Sequence, residues 1–250
     1  MNISKVPQIF ADQRRRAAIA RAEYRRSAAS NPATWLATDM AEEIIERLDF
    51  MQLTPARALA CGFNGSDAAR RLEARGVETT LLASPNHEKP LAGAPFDLIL
   101  ACGSLETVND LPGALIHIRS ALRENGLFIG QMLGGGSVPA LRQIMLAADG
   151  DKPAARIHPQ VDNRAATGLL ERAGFARQVV DSRTLTVRFS SLERMTDDLR
   201  EQALTSVLLS PAPYVGKAGL ARAHEAFAAL ADEESRVAET FEILTLTGWR

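Results

Sequence analysis

The sequence predicts an α/β protein: a three-layer sandwich with a mostly parallel sheet between helices and an antiparallel last strand. From residue 57 onward, short apolar runs alternate with helical stretches, which is typical of βα units that build a parallel sheet. The predicted strands are nearly all apolar, as expected when helices cover both faces of the sheet. The last segment, VAETFEILTLTGW, alternates like a strand and must return to the sheet.

The individual core elements follow from the same patterns. We place strands at residues 58–61, 77–82, 96–101 and 127–133, and helices at 67–75, 111–123, 137–148 and 164–173. Two segments, FARQVVD and RTLTVRF, are predicted to form adjacent antiparallel strands. A helix from residue 192 to about 209 follows, then a loop punctuated by Pro and Gly, and a further helix that ends near residue 231.

Two helices are predicted before the sheet. The first carries Lys5 and six arginines against two acids, with alanines that favour helix. This basic helix is interpreted as a transit peptide, a docking surface for an acidic partner, or the solvated face of a packed helix, and the last is favoured. Asn31 and Pro32 offer an N-cap and a first-turn proline for the second helix, which ends at Phe50.

The domain organisation predicted from these elements has four parts. N-terminal helices occupy residues 1–52 and pack on a core at 53–190. A helical insertion at 191–235 forms a lid or a docking surface, and residues 236–250 supply the final core strand.

The composition excludes several classes of protein. With 29 Lys+Arg against 30 Asp+Glu, the chain lacks the basic surplus expected of a nucleic-acid binder. No apolar run approaches about 18 residues, so no membrane span is predicted. Two cysteines, Cys61 and Cys102, form no disulfide framework and no metal site, which favours a reducing, cytoplasmic compartment. The rarity of lysine beside abundant alanine suggests a GC-rich bacterial genome.

The turn after the first predicted strand is the candidate ligand site. It reads LACGFNGSDAARRL, in which Gly62 and Gly65, with Asn64, allow backbone amides to approach a bound nucleotide-like cofactor. A dinucleotide fingerprint would need G-x-G-x-x-G, and ACGFNG lacks the first glycine. A nicotinamide cofactor therefore fits this turn poorly.

Four longer stretches carry a family resemblance: PQIFADQRRRAAIARAEY, FDLILACGSLETVNDLPGALIHIRSALRENGLFIGQMLGGGSVPALRQ, LLERAGFARQVVDSRTLTVRF and RVAETFEILTLTGW. Through them the chain resembles the class I S-adenosylmethionine-dependent methyltransferases, and within them the complex I assembly factor family that includes the mitochondrial arginine hydroxylase and alphaproteobacterial homologues. More distantly it resembles the malonyl-carrier-protein methyltransferase of biotin synthesis. The resemblance implies a class I methyltransferase-like sandwich and a protein or carrier-linked substrate.

The chain departs from the family pattern where the cofactor would sit. Against a family loop similar to D-L-G-C-G-T-G, the aspartate falls on Ala58 and two glycines fall on Ala60 and Asn64. Leu82 stands where an acidic residue would accept hydrogen bonds from the ribose hydroxyls. Only twelve residues, 84–95, lie between Ala83 and Phe96, too few for the usual helix, strand and second crossover. The usual third strand is therefore expected to be missing, with Glu88 as a conceivable substitute for its adenine contact.

The resemblance implies a set of cofactor contacts at two turns of the sheet. They are Cys61, Gly62, Asn64, Gly65, Ala101, Cys102, Gly103 and Ser104.

The segment after the strand at 96–101 keeps part of the family pattern and loses another part. Glu106 and Thr107 replace a His-Trp pair, whereas Asn109 or Asp110 is expected to cap the following helix. His117 is interpreted as a structural histidine, and no catalytic residue is assigned. Two hypotheses stand side by side. One is a methyltransferase-family enzyme with an eroded S-adenosylmethionine site, and the other is a catalytically silent assembly or interaction protein.

Overall fold

The computed structural model describes residues 6–250, so Lys5 of the predicted basic helix lies outside the described residues. The helices within this range are α1 Asp12–Ala28, α2 Trp35–Phe50, α3 Gly65–Glu73, α4 Leu111–Ala121, α5 Pro139–Asp149, α6 Asn163–Arg172, α7 Leu192–Glu201 and α8 Lys217–Leu230. The strands are β1 Arg57–Cys61, β2 Glu78–Leu82, β3 Phe96–Cys102, β4 Leu122–Leu133, β5 Ala176–Phe189 and β6 Val237–Trp249. No helix in the described range has both the length and the apolar character that a membrane crossing needs.

The six strands form one sheet in the order β2-β1-β3-β4-β6-β5. Neighbouring strands from β2 to β4 pair in parallel, and β6 runs antiparallel to both β4 and β5. Within residues 6–250 no strand lies between β2 and β3 along the chain, so the expected loss of the usual third strand is confirmed. The predicted α/β sandwich with an antiparallel last strand is confirmed as well.

Two apolar layers hold the helices on the sheet, because alternate residues of each strand face opposite sides. In β3, Leu98 and Leu100 face the layer that includes α2, α5 and α8. Ile99 and Ala101 face the layer formed by α4 and α6. All four side chains are fully buried, which explains the nearly continuous apolar run of this strand.

The structure corrects the prediction for residues 175–189. FARQVVD and RTLTVRF do not pair with each other, because residues 176–189 form the single strand β5, which pairs along its length with β6. Asp181, the last residue of the first predicted strand, and Ser182, which lies between the two, continue the ladder opposite Thr245 and Leu244. Asp and Ser are turn-favouring residue types, but no glycine supplies the positive φ that a two-residue hairpin needs, and pairing with β6 carries the chain straight through the junction.

The helix predicted from residue 192 to about 209 ends earlier, at Glu201. Ala203 adopts a left-handed conformation with φ of 59°. The amide of Leu204 then donates to the carbonyl of Leu199 at 2.8 Å, which closes the helix as a Schellman motif. An alanine in the position usually taken by glycine hid this helix end in the sequence.

The second helix begins at Trp35, not at Asn31–Pro32 as predicted. Side chains from the end of α7 satisfy its free amides. The Glu201 carboxylate accepts from Ala33 N at 2.6 Å and the Gln202 side chain accepts from Leu36 N at 3.0 Å. The N-terminus of α2 is therefore fixed by a contact distant in sequence, which no local pattern could reveal.

Strand β2 is not covered on both faces, contrary to the prediction for every strand. It forms one edge of the sheet, and Glu78, Thr80 and Leu81 are exposed. The edge position follows from the missing third strand, which would otherwise lie beside β2.

Glu43 of α2 ties that helix to the far half of the sheet. Its carboxylate binds Arg47 at 2.5 Å and Arg183 of β5 at 3.2 Å. It also accepts hydrogen bonds from Gln131 of β4 and Thr245 of β6. Burial alone would raise the pKa of Glu43, but Arg47 and Arg183 lower it below its ordinary value.

We predict that Glu43→Ala lowers the free energy of unfolding by about 1–3 kcal/mol, because the buried Gln131 and Thr245 and the half-buried Arg183 lose their acceptor. Glu46→Ala, at an exposed position of the same helix, should change it by less than about 0.5 kcal/mol. Because the folded-state pKa is lowered, the Glu43 contribution is present above the ordinary value of 4.5 and is lost as the pH falls through the folded value. Urea unfolding at pH 7 and pH 3 measures both effects, and equal losses at the two positions would contradict this role.

Candidate functional site

A cleft of about 140 Å³ opens at the carboxyl ends of the parallel strands. The turns after β1 and β3 supply part of its wall, through Gly62 and Phe63 and through residues 103–107. Helix α1 covers the cleft together with residues 199–207. This segment begins in the last turn of α7 and continues beyond the helix. This edge is where parallel α/β sheets usually bind ligands.

One face of α1 builds the cleft wall. Arg15, Ala18 and Ile19 line the cleft, and Ala22 and Arg26 lie further along the same face at helical spacing. Arg16, by contrast, is 65% exposed and binds Asp12 at 2.7 Å. The basic helix is therefore packed on the sheet edge through a face that includes Arg15 and Arg26, whereas Arg16 stays at the surface.

Asn109 fixes the segment that leads into α1. Its side-chain oxygen accepts from Ile9 N at 2.8 Å and Phe10 N at 2.9 Å, and its side-chain nitrogen donates to Phe10 O at 3.2 Å. The neighbouring Asp110 caps α4 by accepting from Gly113 N at 2.9 Å. Of the two residues that were expected to cap the helix, only Asp110 does so. Asn109 instead holds the segment before α1.

His158 holds the covering segment in place. Its Nε2 accepts from Val207 N at 2.9 Å, and its ring meets Phe10 edge-on with centroids 5.3 Å apart. Burial lowers the pKa of His158 to about 4, so the ring is neutral at neutral pH and can accept this hydrogen bond.

Two arginines and one glutamate line the cleft: Arg15, Arg156 and Glu106. Arg15 binds Asp12 at 2.5 Å and donates to Thr107 O at 2.9 Å. Arg156 binds Asp149 at 2.5 Å. Glu106 forms no ion pair with any residue in the range 6–250; its Oε1 accepts from Leu133 N at 3.2 Å.

The carboxyl group of Glu106 therefore has an unusual pKa. Burial raises its pKa to about 7, and the backbone amides near it only partly oppose that shift. A group with this pKa changes charge near neutral pH and sits in a cleft, which marks it as a functional-site candidate.

The eight residues expected to contact the cofactor lie together in the two turns and the strand ends that lead into them. Three line the cleft: Gly62, Gly103 and Ser104. The other five do not: Cys61, Ala101 and Cys102 are buried at strand ends, Asn64 is buried under α1, and Gly65 begins α3.

The two turns pack directly on each other, and glycine is required at both contact points. Gly62 has φ of 99°, and a Cβ there would overlap the carbonyl oxygen of Cys102. Gly103 has φ of 62°, and a Cβ there would lie 2.8 Å from Nδ2 of Asn64. The space beside Gly103 is thus taken by the Asn64 side chain.

Arg26 closes the turn from above. Its guanidinium lies 4.1 Å from the centroid of the Phe63 ring and 3.4 Å from Oδ1 of Asn64. It also donates to the carbonyl oxygen of Glu201 at 2.8 Å. Burial lowers the pKa of Arg26, and the nearby Glu201 carboxylate opposes that shift.

The thiols and the buried histidine beside the cleft are not reactive groups. Burial raises the pKa of Cys61 to about 12 and that of Cys102 further. His87 Nε2 lies 2.8 Å from Ser104 Oγ, and burial with the Arg15 charge lowers its pKa to about 4. Within the described residues no group of three or more His, Cys, Asp or Glu side chains could hold a metal ion.

A comparison with known protein families shows the family to which the chain belongs. A family described as a methyltransferase domain matches residues 14–180. The chain belongs to this methyltransferase family. The match covers more than half of the chain and includes most of α1, both turns and all the parallel strands.

Several named relatives resemble this methyltransferase domain. The mitochondrial arginine-hydroxylase NDUFAF5 of Danio rerio is 25% identical, covering 86% of this chain and 65% of the relative. The Homo sapiens protein of that name is 27% identical, covering 70% and 52%. A malonyl-[acyl-carrier protein] O-methyltransferase of Gallionella capsiferriformans is 23% identical, covering 86% and 84%. The chain thus spans about half to two thirds of the length of these two arginine hydroxylases.

Solved structures give looser likenesses. YcgJ of Bacillus subtilis is 10% identical with a TM-score of 0.46, covering 79% of this chain and 92% of that one. The 1,6-didemethyltoxoflavin-N1-methyltransferase of Burkholderia thailandensis, solved with S-adenosylhomocysteine, is 14% identical with a TM-score of 0.46, covering 94% and 88%. Membership of the methyltransferase family rests on the domain match.

Sequence reasoning did not assign Arg15 or His158 to the site, whereas the covering segment at 199–207 lies inside the insertion at 191–235 that it interpreted as a lid or a docking surface. The spacing of Arg15, Ala18, Ala22 and Arg26 is a helical face and could have placed the first. His158 comes from a loop distant in sequence and has no local signal. Glu106 stands out in the sequence only as a departure from the family pattern. Its raised pKa depends on burial, which the sequence does not show.

We predict that Gly62→Ala lowers the free energy of unfolding by more than about 2 kcal/mol, because the new Cβ meets backbone at a positive φ. Gly168→Ala in α6 is the matched control, since nothing lies within 4 Å of a Cβ there. It should be neutral or stabilise by up to about 1 kcal/mol. Equal tolerance of both substitutions in urea unfolding would show that the two turns do not pack as described.

We also predict that Glu106→Gln stabilises the fold at high pH. The folded-state pKa of about 7 lies above the ordinary 4.5, so the wild type loses stability as the pH rises between these values. The variant should therefore be more stable than the wild type by roughly 1–3 kcal/mol at pH 8 and about equal at pH 4. Thermal unfolding across this range tests the shift, and a constant difference would rule it out.

Proposed function

We propose that this methyltransferase-family protein binds a protein or carrier-linked partner at the cleft and works as an assembly or interaction protein, with an eroded S-adenosylmethionine site. The observation that carries the proposal is the filled turn after β1. Asn64 occupies the space beside Gly103, and Arg26 lies over Phe63, where a cofactor would need open backbone. The residues present therefore fit S-adenosylmethionine poorly.

Two further features support the erosion. Leu82 ends β2 and has no acceptor for ribose hydroxyls, and an unpaired hydroxyl costs about 1–3 kcal/mol. Glu88, the conceivable substitute for the adenine contact, accepts a hydrogen bond from Asn109 N at 2.9 Å. Its carboxylate thereby supports the loop that clamps the N-terminal segment, which favours a structural role.

The nature of the partner follows from the relatives by analogy. Their names give an arginine hydroxylase and an enzyme acting on an acyl-carrier protein, so we propose a protein or carrier-protein partner for this chain. A nucleic-acid partner is disfavoured by the formal charge of −1. Both cysteines are free and buried, which supports the reducing, cytoplasmic location expected from the sequence.

A second candidate function, S-adenosylmethionine-dependent methyl transfer to the same class of substrate, has its own supporting observation. Gly62, Gly103 and Ser104 still line the cleft opposite Arg15, whose guanidinium suits a carboxylate group. Methyl transfer depends mainly on alignment of the reacting groups, so it needs no obvious base. No catalytic residue is assigned under either candidate.

Titration of the purified protein with S-adenosylmethionine and S-adenosylhomocysteine separates the two candidates. We predict no saturable heat of binding by calorimetry up to millimolar ligand, because the ribose anchor is absent and the turn is filled. Saturable binding at micromolar concentration would overturn the interaction-protein proposal in favour of the enzyme. A refolded, monodisperse sample with the expected thermal transition is the control for a competent protein.

A further inference from the structure

The end of the sheet opposite the cleft holds a second concave site. It is a groove of about 390 Å³ that lies where α2 and α3 end and where the chain enters β1 and β2. Five apolar residues line it: Leu48, Leu53, Pro55, Leu72 and Val77. Leu48, Leu72 and Val77 are buried and form its floor, whereas Leu53 is 39% exposed. The groove therefore presents an apolar surface to solvent.

The turn that ends α2 shapes this groove. Gln52 adopts a left-handed conformation with φ of 54°, at a position where glycine is usual. Its amide donates to the carbonyl of Asp49 at 3.0 Å. The amide of Leu53 donates to the carbonyl of Leu48 at 2.9 Å, which completes a Schellman motif. This motif brings Leu53 back towards Leu48, so both side chains reach the groove.

Phe50 projects from the same helix end and is 89% exposed. The other eight phenylalanines of the chain are at most 8% exposed, so Phe50 is the exception among them. Phe50 and Leu48 are two positions apart in α2, which places their side chains about 200° apart around the helix axis. Because Leu48 faces the groove, Phe50 points away from it. The ring therefore cannot fill the groove of its own chain.

The rim of the groove carries balanced charge. Asp49 and Arg75 line it and pair through two contacts of 2.6 and 2.8 Å. Neither forms a further ion pair within residues 6–250. A second copy of the chain would therefore meet no unpaired charge in the groove. The formal charge of −1 for the whole chain adds little repulsion between copies at a distance.

We propose that a second copy of this chain occupies the groove, with Phe50 of each copy inserted into the groove of the other. The ring and the groove adjoin at one helix end, so a two-fold axis between them allows both contacts to form together. Such a contact uses the same surface on both copies, so assembly stops at the dimer. An aromatic side chain in an apolar pocket is a frequent anchor of protein interfaces.

The dimer leaves the cleft open, because the cleft lies at the carboxyl ends of the parallel strands and the groove lies at their amino ends. The inference is therefore independent of the proposed function. The two rings bury roughly 300–500 Å² between them, a minor part of the about 1,200–2,000 Å² of a standard interface. We expect a weak dimer with a dissociation constant of about 10–100 μM.

Sedimentation equilibrium of the full chain from micromolar to millimolar concentration measures this association. The mass should rise from that of the monomer, 27.0 kDa, towards twice that value and no further. Phe50→Ser should weaken association at least tenfold. Tyr214→Ser is the matched control, since it removes an aromatic side chain that is 94% exposed elsewhere, and it should change nothing. Both positions are exposed, so the thermal transition should stay the same in both variants.

A mixing experiment tests insertion into the groove specifically. Leu53→Glu places a charge in the groove and leaves Phe50 intact, and Thr54→Glu, at an exposed position of the same groove, is a second blocking variant. Each blocking variant alone should associate as weakly as Phe50→Ser. An equimolar mixture of Phe50→Ser with either one should associate more strongly than both components, because one intact ring then meets one intact groove.

Four results would overturn the inference. They are a monomer at every concentration, a mass that grows beyond the dimer, wild-type association of Phe50→Ser, and mixtures that associate no more strongly than their components. The last result would indicate that the two rings stack on each other outside the grooves. None of these readouts uses S-adenosylmethionine, so they are independent of the cofactor titration.

Discussion

The packing of the β1–α3 turn on the β3–α4 turn is the constraint on which the site depends. Gly62 and Gly103 allow the two turns to touch, and Asn64 fills the space that remains. Arg26 then places α1 over this junction by contacting both Phe63 and Asn64. The cleft exists because α1 is held there and forms one of its walls. The side chains that line this wall are those on the inward face of α1.

The loss of one strand and the filled turn after β1 both reduce the backbone and side chains available to a bound nucleotide. Without the usual third strand, β2 becomes a sheet edge with exposed side chains, and the short β2–β3 loop brings His87 and Glu88 to the Ser104–Asn109 segment. These contacts occupy backbone and side chains that would otherwise be available to a nucleotide. The cleft that stays open lies under α1 and residues 199–207, and it is lined by Gly62, Gly103 and Ser104 as well as by Glu106.

The sequence could predict features that depend on local periodicity or chain length. The sheet strands, the missing third strand and the Asp110 cap are of this kind. It could not predict that β5 runs unbroken, that Ala203 ends α7 in a left-handed conformation, or that Glu201 and Gln202 cap α2, because pairing across distant segments decides each. In the site, residue types were visible, but the pKa of Glu106 and the burial of Asn64 arise only from packing.

The central claim is that side chains of this protein fill the turn after β1, where a cofactor would otherwise bind. The most direct measurement compares the affinity for S-adenosylhomocysteine of the wild type with that of a double variant, Asn64→Gly with Leu82→Asp. This variant opens the turn and restores a ribose acceptor. The account predicts negligible binding by the wild type and at least tenfold stronger, saturable binding by the variant. Tight binding by the wild type that the two substitutions weaken would contradict it.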